Sequence, residues 1–180
     1  DIPESSSPKD SVIEVQRSLD VVVTPSLTIT EFLGNVASGD SALSACLVTI
    51  VAPCQEAYQT PEFDEYVLVI SGVLSVEHES DVTQEIIVTT VGHRSGLFLP
   101  KGRRYKFHWP GPCQYIPICL PAFSPDNCNR ELDDPAAVKD EESLAALAAL
   151  HSRASDDRKS NHACCPPTDR CNEVVTGEDC

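Results

Sequence analysis

The sequence predicts an all-β domain, an antiparallel jelly-roll barrel, followed by one C-terminal helix and a cysteine-rich irregular tail. Between residues 12 and 123, eight short β-forming runs recur, separated by turn residues that include Gly and Pro. Several runs alternate apolar and polar residues, as half-buried strands do. Beyond residue 132 the pattern changes to alanines and leucines at helical spacing. Many short strands with frequent turns are typical of antiparallel barrels and jelly rolls.

The elements follow one another in a simple order. A polar arm with Ser and Pro occupies residues 1–11, and the barrel is expected over residues 12–131. Its β-forming runs are 12–15, 21–34, 45–51, 66–79, 84–92, 96–100, 104–109 and 114–123. In the fourth run, Leu74 and Val76 alternate with polar residues, which indicates a strand with one buried face.

The region over residues 132–155 is predicted to contain a single helix at about 136–154. The segment Asp133–Pro135 is a helix-start signature, with acidic residues followed by proline in the first turn. A narrow stripe of leucines suits packing on the barrel or on a partner protein: Leu144, Leu147 and Leu150. Residues 156–180 show no periodicity and are expected to form the irregular tail.

Composition limits the classes of partner. At 180 residues the chain suits one domain with extensions. A formal net charge of −15 and a pI near 4.5 disfavour nucleic acid and anionic membrane surfaces as partners. No apolar segment approaches the roughly 20 residues that span a bilayer. The chain contains no methionine and begins at Asp1, so we expect a processed chain or a fragment.

The cysteines indicate an oxidising compartment, such as an organelle lumen. There are nine, an odd number, and four lie in the last 17 residues. The pattern CC-x5-C-x8-C does not match a zinc knuckle, because adjacent cysteines rarely bind one metal tetrahedrally. We therefore expect disulfides within the tail, or one link back to the barrel, among Cys164, Cys165, Cys171 and Cys180. Cys113 and Cys119 are separated by about 20 Å along a straight strand, so they cannot bond to each other.

Two motifs and one longer segment carry a family resemblance. Glu65 is followed by six residues and Gly72, and Pro100-Lys101-Gly102 follows the strand-like GLFL. With the ending QYIPICLPAFSPDNCNRE, these motifs make residues 40–131 resemble the cupin superfamily. The resemblance is to plant and algal cupins and, more distantly, to ethanolamine-utilisation cupins. It implies a jelly-roll barrel and, in the usual case, a metal held by three histidines and one glutamate.

The expected metal ligands are missing apart from the glutamate. Aligned on Glu65, the first two histidine places fall at Tyr58 and Thr60 or at Gln59 and Pro61, and the last falls at Tyr105. His108 lies three residues beyond Tyr105, so on a strand it faces the opposite side. The other histidines lie in turn-like stretches or outside the barrel: His78, His93, His151 and His162. We therefore expect no metal centre of the standard cupin type and no cofactor.

Glu65 still needs a partner, because a buried carboxylate must be hydrogen-bonded. The resemblance points both Glu65 and Tyr105 into the barrel, so we expect contact between them, joined by Arg103 or Arg104. Three roles remain open for Glu65: a structural residue, an acid or base in a small-molecule pocket, or a residual metal ligand. The candidate pocket comprises Glu65, Tyr105, Arg103, Tyr58 and Gln59. Five aromatic residues line it or form the core: Tyr58, Tyr66, Phe107, Trp109 and Tyr115.

Two functions of different classes follow. The first is a non-catalytic binding or structural protein, an accessory subunit docked through its termini and helix in a larger complex. By the algal resemblance, that complex is organellar and photosynthetic, and the subunit is peripheral rather than membrane-spanning. The alternative is a metal-independent isomerase, epimerase or lyase acting on a small polar metabolite, and a storage or stress protein is a third interpretation. An open cavity with Glu65, Tyr105 and Arg103 converging on its wall favours the enzyme. An interior filled by Val67, Val69, Leu99 and Phe107, with Glu65 bound to the backbone, favours the accessory subunit.

Overall fold

The structure is a computed structural model that describes residues 17–131 and 141–163, with side chains of the second range described for residues 144–157. The predicted arm at residues 1–11, the first β-forming run at 12–15 and the four tail cysteines lie outside the described residues.

Short strands dominate the described part of the chain, as the alternating runs predict. Ten strands and two helices follow in the order β1 (Leu19–Val23), β2 (Leu27–Leu33), β3 (Ser44–Ile50), β4 (Cys54–Gln55), β5 (Asp64–Ser71), β6 (Val73–Glu79), β7 (Ile86–Gly92), β8 (Gly96–Leu99), β9 (Tyr105–Trp109), β10 (Cys113–Leu120), α1 (Pro125–Cys128) and α2 (Glu141–Ala163).

The strands form two antiparallel sheets. One has six strands in the order β1-β2-β3-β10-β5-β8, and the other has four in the order β4-β9-β6-β7. Neighbours in the larger sheet come from distant parts of the chain, since β10 lies between β3 and β5. This double-sheet arrangement is the predicted jelly roll.

The core lies between the two sheets and consists of the inward-facing residues of both. In β5, Glu65, Val67 and Val69 are buried, whereas Tyr66 and Leu68 point outward and are about half exposed. The remaining core residues come from both sheets, and they include Val48, Ile50, Leu74, Val76, Leu99, Tyr105, Phe107, Trp109, Cys113 and Tyr115.

The turn between β5 and β6 depends on glycine. Gly72 has φ of +79°, a left-handed conformation that other residues adopt at a cost. A Cβ atom there would lie 2.2 Å from the backbone oxygen of Pro112 and 2.7 Å from Cα of Cys113. Close approach of two backbones therefore adds to the conformational requirement.

All seven β-forming runs that fall within the described residues are strands. The runs at 21–34 and 66–79 each divide into two strands: β1 and β2 pair with each other, whereas β5 and β6 belong to different sheets. Two short elements were not predicted, β4 and α1. Ser124 is the N-cap of helix α1, and its side chain accepts a hydrogen bond from the backbone of Asn127 in a capping box. Asn129 is the C-cap, in the left-handed conformation.

The C-terminal helix is present but extends further than predicted. Helix α2 reaches Ala163, so residues 156–163 are helical rather than part of an irregular tail. It packs against β1 and α1. Leu147 is buried, and the ring of His151 meets that of Phe123 edge-on at 5.8 Å. The leucine stripe thus faces the barrel. No helix among the described residues has the length and apolar character needed to cross a membrane.

Candidate binding cavity

A cavity of about 460 Å³ lies inside the barrel. Side chains from β2, β3, β5, β9 and β10 form its walls, and residues of α1 and α2 complete them, among them Cys128, Leu144 and Leu147. The interior is therefore open near Glu65, although Val67, Val69 and Leu99 pack in the core as expected. Most of the lining is apolar, with a small group of polar side chains.

Glu65 lies in this cavity and contacts Tyr105. The Tyr105 hydroxyl donates a hydrogen bond to Oε2 of Glu65, which is the contact that the sequence predicts. Burial raises the pKa of Glu65 to about 7, although the hydrogen bond from Tyr105 opposes the shift. Burial, followed by the nearby Glu65 carboxylate, raises the pKa of Tyr105 far above its ordinary value. Tyr105 therefore remains a protonated donor over the physiological pH range.

Arg103 and Arg104 do not join this pair, which corrects the expectation for both. Arg103 forms an ion pair with Asp81 on the surface. Arg104 pairs with Glu131, with Nε and Nη2 at 2.6 and 2.8 Å from its two carboxylate oxygens. The physical reason is the strand boundary: β9 begins at Tyr105, so both arginines belong to the preceding turn and lie outside the barrel.

The other two candidate pocket residues, Gln59 and Tyr58, lie on opposite sides of the barrel wall. Gln59 is buried and lines the cavity, where its Oε1 accepts a hydrogen bond from Sγ of Cys128 at 2.8 Å. Tyr58, one residue earlier, points to the opposite side. Its hydroxyl contacts Glu77, and the guanidinium carbon of Arg104 lies 3.6 Å from its ring centre. Tyr58 is thus part of an outer cluster.

Among the described residues that line the cavity, the cation is Arg130, which the sequence analysis did not identify. Its Nη2 lies 3.1 Å from Oε2 of Glu56, and both residues line the cavity. Burial raises the pKa of Glu56, while the charge of Arg130 acts in the opposite direction. Arg130 belongs to the chain ending that carries the family resemblance, two residues after α1. Two features of the sequence could have indicated Arg130: it directly follows a turn, and arginine is the cation that best suits partly buried ion pairs.

Three cysteines line the cavity as free thiols: Cys46, Cys119 and Cys128. Burial is the main cause that raises the pKa of Cys46 to about 12 and that of Cys128 to about 11. The thiols are therefore protonated and behave as small apolar groups. Cys113 is also free, so it is not bonded to Cys119, consistent with their spacing along β10.

An aromatic cluster forms the wall beyond Glu65. The rings of Trp109 and Tyr115 are stacked with centres 5.9 Å apart, and Phe107 lies 5.9 Å from Trp109 and 6.1 Å from Tyr115. The indole Nε1 of Trp109 is buried and has no hydrogen-bond acceptor within the described residues. Tyr66, another aromatic candidate, lies outside the barrel against Phe98, 4.8 Å between ring centres.

None of the four histidines whose side chains the structure describes is among the residues that line the cavity. His108 is exposed on the face of β9 opposite Tyr105, as its spacing predicts. His78 and His93 contact backbone carbonyls of Glu79 and Ile70. Within residues 17–131 and 141–163, no group of three or more His, Cys, Asp or Glu side chains is placed to hold a metal ion.

Comparison with known proteins gives one curated relative. No family model matches the chain. Endoribonuclease YbeY of Myxococcus xanthus is 32% identical over 132 residues, which are 71% of this chain and 41% of that protein. The chain therefore spans about two fifths of the length of the curated relative that it matches.

Solved structures that resemble the chain include cupin-fold proteins. Two structures of oxalate decarboxylase from Bacillus subtilis, each 12% identical, match 83% and 80% of this chain with TM-scores of 0.55 and 0.56, covering 41% and 38% of their own chains. The EutQ protein of Clostridium difficile matches 53% of this chain and 63% of its own, at 20% identity and a TM-score of 0.42.

The oxalate decarboxylase has Mn(II) centres, and the polar groups of this cavity do not fit such an ion. Manganese prefers carboxylate, carbonyl and water oxygens or imidazole, in an octahedral set. Here Glu56 is already paired with a guanidinium, Glu65 accepts from a phenol, and none of the described histidines lines the cavity. The resemblance to plant and algal cupins remains a prediction. The structural likeness, at low identity, shows the fold: this chain is a cupin-type jelly roll.

Proposed function

We propose that the protein is a non-catalytic binding protein that holds a small molecule in its barrel cavity without a metal. The observation that carries the proposal is the cavity itself, about 460 Å³ in volume. Sites for small molecules occupy roughly 300–1,000 Å³ and combine apolar walls with a few placed polar groups. The described walls have this composition, with Glu65 and Gln59 among the polar residues.

Binding is better supported than catalysis because most polar groups of the cavity are already hydrogen-bonded or ion-paired with each other. Isomerases and lyases need two positioned acid–base groups. Tyr105 donates to Glu65 and holds its proton, and Arg130 is paired with Glu56. Glu65 is thus left as a single group that titrates near neutral pH.

Fluorescence tests the proposal directly, since Trp109 is the sole tryptophan of the chain and lines the cavity. Small apolar molecules should change its emission in a saturable way. Val48→Phe, which adds a ring at the cavity wall, should abolish the change. Leu47→Phe, on the outward face of the same strand, is the matched control and should preserve it. Equal responses of the two variants would contradict binding in the cavity.

An enzymatic role is the alternative, and one observation favours it: the cavity is open at Glu65, and burial raises the pKa of this residue to about 7, where a general base is most effective. A metal-independent isomerase or epimerase would exchange a substrate C–H with solvent. Incubation with aldoses and 2-keto acids in D₂O, followed by NMR, tests this. Exchange that disappears in Glu65→Gln would support the enzyme and overturn the non-catalytic proposal.

We also propose that the protein docks as an accessory subunit, and here the supporting observation is an apolar sheet surface. The outer face, defined as Tyr66, Leu68, Ile70 and Phe98, is 44 to 52% exposed on β5 and the edge strand β8. Such patches mark interaction sites. A second copy is disfavoured because each chain carries a net charge of −15. A different subunit with an apolar surface is therefore the proposed partner.

Purification from the native source tests docking and compartment together. An accessory subunit should migrate well above 19.5 kDa, the mass of the chain, under mild conditions. Leu68→Lys should release it, whereas Thr49→Lys, on a neighbouring part of the same sheet, should not. Migration as a free monomer would contradict docking.

Mass spectrometry of the unreduced chain would show whether Cys164, Cys165, Cys171 and Cys180 form disulfides, as an oxidising organelle lumen implies.

Ribonuclease activity, named for the Myxococcus xanthus relative, is not part of the proposal. The matched region is 41% of that protein, and a chain with a net charge of −15 repels a polyanion.

A further inference from the structure

The polar groups of the cavity wall are strongly unequal in charge. Within the described residues, the lining of the cavity includes four acidic residues, Glu31, Glu56, Glu65 and Asp126, and one arginine, Arg130. An anionic ligand would be repelled by this set. A positively charged ligand would be attracted, most strongly at a buried carboxylate that has neither an ion-pair partner nor backbone N–H donors among the described residues. Asp126 is exposed, so the remaining candidates are the three glutamates.

Glu65 is that carboxylate. Glu31 accepts hydrogen bonds from the backbone nitrogens of Val36 and Ala37, at 2.8 and 2.7 Å. Glu56 is paired with Arg130. Glu65 receives its hydrogen bond from the neutral hydroxyl of Tyr105, and it is only 5% exposed. A cation brought by a ligand would offset the cost of ionising this buried group.

On the far wall of the cavity, the indole N–H of Trp109 is a hydrogen-bond donor. Trp109 is 2% exposed, and its indole N–H lacks an acceptor within the described residues. A buried donor without a partner is destabilising, and a ligand oxygen that accepted from it would remove that cost. Trp109 lies four residues beyond Tyr105 on β9, a distance of about 13 Å along a strand. The aromatic rings of Phe107 and Tyr115 lie beside this path.

We propose that the cavity binds an elongated organic amine, protonated at neutral pH, with an oxygen acceptor at its far end. The ammonium group would pair with Glu65, the apolar chain would pass Phe107 and Tyr115, and the oxygen would accept from Trp109. Aromatic faces stabilise a nearby cation further. The inference rests on the proposed function, since it names the ligand class of the same cavity.

Binding should be linked to a proton at Glu65, so the groups that face it matter. Those that act on its charge or hydrogen bonding come from β9, the segment after β4 and the segment after α1: Tyr105, Glu56 and Arg130. Thiols act with it as well, from β3, β10 and α1: Cys46, Cys119 and Cys128. Burial raises the pKa of each thiol, so they remain protonated near pH 7. Amine binding should therefore strengthen as pH rises from 6 to 8 and Glu65 loses its proton.

Calorimetry with four probes of equal chain length tests the proposal. The probes are an eight-carbon amino alcohol, octylamine, 1-octanol and octanoate. At pH 7.5 octylamine should bind about tenfold more tightly than 1-octanol, since a charged hydrogen bond is worth more than a neutral one. Octanoate should bind most weakly. The amino alcohol should exceed octylamine by about fivefold, and Trp109→Phe should remove that advantage.

Two variants separate Glu65 from general charge effects. Glu65→Gln should make octylamine and 1-octanol bind equally, whereas Glu79→Gln, at the exposed end of β6, should leave the ratio unchanged. Wild-type protein gives a second measurement that needs no variant. At pH 7, amine binding in buffers of different ionisation enthalpy should release about half a proton.

The outcomes distinguish this inference from the proposed function. Binding of 1-octanol or octanoate with no preference for the amines would overturn the ligand class and leave small-molecule binding intact. Binding of none of the four probes would contradict both. Amine preference that persists in Glu65→Gln would show that another carboxylate is responsible, and would overturn the role given to Glu65.

Discussion

The buried carboxyl group of Glu65 should make the protein less stable as pH rises. Replacing it by glutamine removes the titrating group and retains an oxygen that accepts from Tyr105. The pKa of Glu65 is raised from 4.5 to about 7 in the folded protein, chiefly by burial. Each pKa unit corresponds to about 1.36 kcal/mol, so the group is expected to contribute about 3 kcal/mol of pH-dependent stability.

The direction follows from proton binding in the two states. Below pH 4.5 both states hold the proton, and the contribution of Glu65 is fully present. Between about pH 4.5 and 7 the unfolded chain releases its proton first, so stability is lost as pH rises through the folded pKa. Above that range both states are ionised and the contribution stays constant.

Urea unfolding of wild type and Glu65→Gln at pH 5, 6, 7 and 8, followed through the fluorescence of Trp109, measures this effect. The wild-type free energy of unfolding minus that of the variant should fall by about 2–3 kcal/mol over this range. Other titrating groups cancel in the difference when they are independent of the substitution. Glu79→Gln, a surface substitution, controls for loss of one carboxylate. A difference that is constant with pH, or that rises, would refute the assignment of a raised pKa to Glu65.

Three further predictions concern the scaffold. Gly72→Ala should lower the free energy of unfolding by more than about 3 kcal/mol and reduce soluble yield. Gly102→Ala should lower it by about 1 kcal/mol, because Gly102 has φ of +77° but no atom within 4 Å of an added Cβ. Similar losses for the two variants would contradict the clash at Gly72. Arg130→Ala should lower the free energy of unfolding by about 2 kcal/mol. Arg103→Ala, at the surface, should lower it by less than about 0.5 kcal/mol. Equal losses in urea unfolding would argue against a partly buried ion pair at Arg130. Leu147→Ala should lower the melting temperature through a loss of about 2–3 kcal/mol, and no change would show that α2 does not pack there.

The strands could be predicted because their signal is local. Alternation and turn residues lie within each run, so nine of the ten described strands fall in predicted runs. The two-residue β4 and the four-residue α1 each span only about one period of their pattern, so no repeat can reveal them. The end of α2 was missed for a different reason, because polar residues continue the helix beyond its leucine stripe.

The candidate site could be predicted in part. Glu65 and Tyr105 are 40 residues apart, and the family resemblance placed both inside the barrel. Arg103 was misplaced because it lies two residues before Tyr105 and would share its face only if the strand continued that far, whereas β9 begins at Tyr105. Arg130 and Glu56 are 74 residues apart, and their pairing depends on how the chain returns after α1. Contacts of that kind follow from topology, which a single sequence does not contain.

Helix α2 supplies Leu144 and Leu147 to the cavity wall, so occupancy and helix docking are one thermodynamic cycle. If the docked helix increases the affinity for a molecule that contacts both the barrel and the helix, that molecule must stabilise helix docking by the same free energy. Protease resistance of the C-terminal segment would then serve as a readout of occupancy, even for a compound that has no colour and no fluorescence.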